Sequence, residues 1–134
     1  MDTAERLAAS YVFAHAAPSE PVVTTGFRRA VFAYYLDRAG GHPGPLLSFP
    51  REIAEHPGWY REDRLLADPT RLAQEGARLA ADLISLARQG HTVWILTSDP
   101  SNVDPYLYRE LSTALTIDRD RSNQDLQILC LRLR

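Results

Sequence analysis

The chain contains no lysine: all 15 of its basic residues are arginine. That absence excludes Schiff-base lysine chemistry and the lysine of a Walker-type phosphate loop. With Cys130 as its single cysteine, the chain has no intramolecular disulfide and no zinc cluster built on several thiolates. Cys130 lies in the apolar run from Leu126 to Leu133, where a buried structural thiol is expected rather than a reactive one. No stretch reaches the roughly 20 apolar residues of a membrane-spanning helix, so this chain is not expected to insert into a membrane. Its first residues, Met1-Asp2-Thr3, carry an early acid and no basic-then-apolar pattern, unlike a secretory signal. The net charge of -2 supplies no basic surface, and nucleic acid is not an expected partner.

What is present is the composition of an ordinary globular protein, 45% hydrophobic and 24% charged over 134 residues, which suits a single α/β domain spanning 1–134. Ala4 to Ala16 places Leu7, Ala8, Tyr11, Val12 and His15 on helical spacing, and Pro18 and Pro21 close that helix. A β-branched strand from Pro21 to Gly26 leads at once into a helix from Phe27 to Leu36, with apolar positions at 27, 31, 34 and 35. Leu46 to Phe49 makes a second short strand, and Pro50 to Pro69 reads as a functional or packing loop. Asp68 and Pro69 then supply the N-cap and first position of a long helix to Gln89. Its stripe includes Leu72, Gly76, Leu79, Ala80, Leu83 and Ile84, and Gly90 stops it.

His91 to Thr97 is a continuous β-branched and aromatic run, as expected of a strand buried on both faces at the centre of the sheet. Asp104 and Pro105 start a helix to about Leu115, and Thr116 to Arg121 with Leu126 to Leu133 read as an antiparallel hairpin. This order predicts a three-layer α/β sandwich whose sheet is mostly parallel and closes with a C-terminal antiparallel hairpin. Gly76, which costs about 1 kcal/mol relative to alanine inside a helix, is expected to mark close approach to the sheet beneath Trp94.

Ligands of open α/β sheets bind at the carboxyl ends of the parallel strands, so the candidate binding residues are those at three strand ends. The first end offers Thr25, Gly26, Arg28 and Arg29, a hydroxyl, a glycine and two cations at a helix start, all favourable to phosphate or carboxylate. Ser48 and Arg51 stand at the second, Ser98 and Asp99 at the third. Gly26 has no G-x-G-x-x-G pattern around it, and Ser98 lacks both the G-x-S-x-G frame and a neighbouring histidine, so solvated charges and a turn or cap are the plain alternatives. His56, Trp59 and Tyr60, around a Pro-Gly turn, form either a stacking platform for a sugar or peptide or a lid over the core. His15, His42, His56 and His91 are scattered without metal-ligand spacing, and the pattern implies neither a catalytic constellation nor a cofactor.

The ordered segments Ala8 to Val23, Tyr34-Tyr35-Leu36, Phe49-Pro50, His56 to Tyr60 and His91 to Ser98 resemble the soluble C-terminal region of bacterial membrane glycosyltransferases of the protein-mannosyltransferase and aminoarabinose-transferase type. In that family a multi-span domain holds the polyprenyl-phosphate-sugar site and its acidic residue, and the extracytoplasmic part is an accessory α/β module. The resemblance therefore implies an extracytoplasmic, non-catalytic accessory or binding domain whose partner is a membrane-embedded glycosyltransferase domain, with a sugar or phosphate as ligand. Two alternatives follow from the residues alone, both with a cytoplasmic location expected: a small domain binding a phosphorylated or nucleotide ligand at the strand ends, and a protein-interaction module using Trp59 and Tyr60.

Overall fold

The computed structural model describes residues 4–25, 29–41, 43–50, 66–98, 104–123 and 126–133. In chain order they form α1 (Ala4–His15), β1 (Val22–Thr25), α2 (Arg29–Ala39), β2 (Leu46–Phe49), α3 (Pro69–Arg88), β3 (Val93–Ser98), α4 (Asp104–Leu111), β4 (Leu115–Asn123) and β5 (Leu126–Leu133). The strands make one five-stranded sheet in the order β2-β1-β3-β5-β4. β1 pairs in parallel with β2 and β3, whereas β5 runs antiparallel between β3 and β4. Four strands thus point one way and β5 alone the other, a mixed sheet with a parallel core and an antiparallel edge.

β3 occupies the centre because its residues have no polar face to offer water. Val93, Trp94, Ile95 and Leu96 are all buried, and successive side chains of a strand alternate between faces. Val93 and Ile95 join Val23, Phe49, Leu129 and Leu131 in a core shared with Leu72, Ala80, Leu83 and Ala87 of α3 and Leu107 and Leu111 of α4. Trp94 and Leu96 join Val22, Ile128 and Cys130 in a second core shared with Ala4, Ala8, Ala9 and Val12 of α1 and Phe32 and Leu36 of α2. Each buried Leu, Ile or Phe contributes about 1.5–3 kcal/mol relative to exposure, so both sheet faces are held by comparable apolar burial. Cys130 is buried within the second core.

α3 begins as the sequence predicts, with the Asp68 carboxylate accepting from the Arg71 N–H at 3.2 Å and Pro69 in the first turn. It ends where Gly90 adopts φ 96° and the His91 N–H donates to Leu86 O at 3.2 Å. Leu72 and Leu83 point inward as expected, with Leu79 and Ile84 partly buried beside them. Gly76 is buried too, but not beneath Trp94, which faces α1 and α2. A Cβ on Gly76 would run into the backbone carbonyl of Tyr106, with the carbonyl carbon 2.8 Å away. The close approach is helix to helix, α3 against α4.

Three other expectations are corrected. On α1 the buried stripe is Ala4, Ala8, Ala9 and Val12, and Leu7 and His15 are exposed; small side chains let the helix lie close to the sheet, which a count of large apolar residues overlooks. On α2 the buried residues are Phe32 and Leu36, one turn apart, whereas Val31 and Tyr34 are exposed. The last helix stops at Leu111 because the Ser112 and Thr113 hydroxyls donate to Arg109 O and Glu110 O, and Leu115 becomes the first, buried residue of β4, opposite Leu133. The hairpin stands at the sheet edge as expected, with β4 extended to Asn123 and its register shifted between Arg119 and Arg121.

Candidate functional site

Along β2 the chain brings a cation and a hydroxyl together. Arg29 opens α2, so its side chain reaches from the helix start over the edge strand. Its Nη1 donates to Ser48 Oγ at 2.8 Å and to the Leu46 carbonyl at 3.2 Å. Ser48 Oγ lies 3.4 Å from Thr24 Oγ1, so the guanidinium, the serine and a buried threonine form one chain of polar groups. No carboxylate among the described residues pairs with the half-buried Arg29. A guanidinium offers five N–H donors, and among the described residues only one of its nitrogens is engaged.

Beside this group a cleft of about 450 Å³ lies along β2, the end strand of the sheet order. Its β2 wall is Leu46 to Phe49, and α3 supplies Glu75, Arg78, Leu79 and Asp82. These four are spaced i, i+3, i+4 and i+7, which places them on one stripe of the helix. Glu75 is not the freely solvated side chain that its polar neighbours on the helix predict. Its Oε2 is buried without a hydrogen-bond partner, while Oε1 stands 3.7 Å from Arg71 Nε. Arg78 and Asp82 are exposed at the rim. The cleft is thus lined by a cation with no carboxylate partner among the described residues, by the carboxylate of Glu75 and by the apolar side chains of Leu46, Leu47 and Leu79.

Of the residues expected at the strand ends, Arg29 and Ser48 meet directly. Thr25 is fully buried, and its hydroxyl donates to Thr97 Oγ1 at 2.7 Å, tying β1 to β3 within the sheet. Ser98 ends β3 opposite Leu126. Gly26, Arg28, Arg51, His56, Trp59, Tyr60 and Asp99 lie outside the described residues. Sequence reasoning missed Glu75, Arg78 and Asp82, although their one-stripe spacing on a long helix was there to be read.

A second polar cluster stands at the opposite, amino ends of β1 and β3. Glu20 is 9% exposed, and its carboxylate accepts from the Ala17 N–H at 2.6 Å, the Thr92 N–H at 2.9 Å and the Trp94 indole N–H at 3.1 Å. Burial pushes its pKa up, but the hydrogen bonds from Ala17, Trp94 and Thr92 to the ionised form outweigh that and hold it below the ordinary carboxylate range. Every oxygen of this carboxylate is engaged, so its role is to fasten the loop before β1 to the central strand. Among the described residues no group of His, Cys, Asp and Glu has the arrangement of a metal site, and no helix is long and apolar enough to cross a membrane.

No protein-family model matches the chain, and no curated protein matches it.

Proposed function

We propose that this chain is an accessory ligand-binding domain of a polyprenyl-phosphate-sugar-dependent membrane glycosyltransferase, a three-layer α/β sandwich that lies outside the cytoplasmic membrane and takes a phosphorylated group at Arg29 and Ser48. The observation that carries the binding role is Arg29: a half-buried guanidinium with no carboxylate partner among the described residues, held by Ser48 at the strand ends and facing a cleft. Arginine in that setting suits an oxyanion, because its fixed fork of donors makes short, charge-assisted bonds to phosphate. The two helix pairs, each sharing a core with alternate strand residues, support the layered reading. The accessory role rests on the ordered resemblance of the chain to the soluble part of those enzymes.

Titration with inorganic phosphate, sugar phosphates and nucleotides, read by thermal shift, tests the binding role. A ligand at a hundred times its dissociation constant stabilises the fold by about 2.7 kcal/mol, and Arg29→Gln is expected to abolish the gain. No stabilisation by any of them refutes the phosphate reading. The accessory role is tested by the gene: hydrophobic spans encoded in the same reading frame or beside it are expected, and their absence from both contradicts the role.

A further inference from the structure

The α3 wall of the cleft carries information that Arg29 alone does not. Glu75 Oε2 is a buried acceptor that meets no donor, and Glu75 Oε1 has only a long contact with Arg71. A carboxylate has no proton to give, so only an O–H or N–H satisfies it, and none of the described residues brings one to Oε2. Asp82, one stripe position further along the same wall, repeats the demand at the rim. Leu46, Leu47 and Leu79 give the lining an apolar part. At about 450 Å³ the cleft falls within the roughly 300–1,000 Å³ that small-molecule sites occupy.

Resting on the reading of Arg29 and Ser48 as the anion end, we infer that the cleft is a sugar-phosphate site in which Glu75 is the specificity-determining residue, accepting a hydrogen bond from a ring hydroxyl. A single phosphate sits on the free Arg29 donors, the ring lies over the leucines, and the ring hydroxyls meet Glu75 and Asp82. Bare phosphate satisfies only the first of these.

Isothermal titration of the whole chain with a panel of hexose 1-phosphates, inorganic phosphate and the free hexoses tests this. At least one hexose 1-phosphate is expected to bind tenfold or more tightly than inorganic phosphate. Glu75→Ala, a helix-favouring change whose folding is checked by its melting curve, is expected to remove that tenfold advantage while inorganic phosphate binds at least as tightly as before, because a negative charge leaves the cleft. Equal binding of phosphate and every hexose 1-phosphate, or a Glu75→Ala loss that falls equally on both, overturns the inference while leaving the anion reading in place. Absence of all binding, phosphate included, refutes the anion reading and the inference with it. A short alkyl diester of the best hexose 1-phosphate separates the two sources of this chemistry. Tighter binding of the diester assigns the site to a lipid-linked headgroup, tighter binding of the monoester to a free sugar phosphate, and either ranking upholds the sugar-phosphate site.

Discussion

The carboxylate of Glu20 and the indole of Trp94, 74 positions apart, are joined by a 3.1 Å hydrogen bond that fastens the loop before β1 to the centre of the sheet. One oxygen of Glu20 also accepts from Ala17, and the other accepts from the Thr92 N–H. In Glu20→Gln one oxygen becomes an amide that donates, and it then faces a donor it cannot satisfy. The expected cost is about 1–3 kcal/mol by chemical denaturation, the range for a buried polar group left unpaired. A loss below a few tenths of a kcal/mol would show that the cluster is not a fastening.

The same carboxylate gives the fold a pH dependence with a definite sign. Its pKa is lower in the folded chain than in the unfolded one, so its stabilising effect is complete above the unfolded value of about 4.3 and disappears as pH falls through the folded value. Melting temperatures measured across the acid range should fall more steeply for the wild type than for Glu20→Gln. Parallel curves would contradict this.

Gly76→Ala should destabilise the chain by roughly 1–3 kcal/mol, the usual range for overpacking, because the added methyl meets the Tyr106 backbone, which cannot rotate away as a side chain can. A gain of up to about 1 kcal/mol, the propensity advantage of alanine in an open helix, would contradict the close approach of α3 to α4.

On α2, Phe32→Ala should cost about 3–5 kcal/mol, and Val31→Ala should stay within about 0.5 kcal/mol, since Phe32 is fully buried and Val31 is 46% exposed. The reverse ranking would restore the helix phase that the apolar spacing suggests.

That phase error shows where the sequence is legible and where it is not. Val93 to Leu96 identifies the central strand because a run with no polar alternation has to be covered on both faces. Asp68 and Pro69 mark a helix start because cap chemistry is local. The inner faces of α1 and α2 depend instead on tertiary choice: Ala4, Ala8 and Ala9 go inward in place of Leu7 because close packing rewards their small size. Gly76 announces a close approach, yet nothing in a one-dimensional pattern says that its partner is α4. At the site, Arg29 and Ser48 can be nominated from the strand-end rule. Their pairing is a contact across 19 positions, and the α3 wall comes from residues further along the chain, brought to β2 only by the fold.

The central claim, an anion-binding cleft at Arg29, is tested most directly by heteronuclear NMR, following backbone amides and arginine side-chain N–H groups during titration with a hexose 1-phosphate. Saturable shifts should concentrate on the Arg29 side chain, on the amides of Leu46, Leu47 and Ser48, and on Glu75, and they should be lost in Arg29→Gln. Saturable shifts centred on other residues, or none at all, would contradict the account.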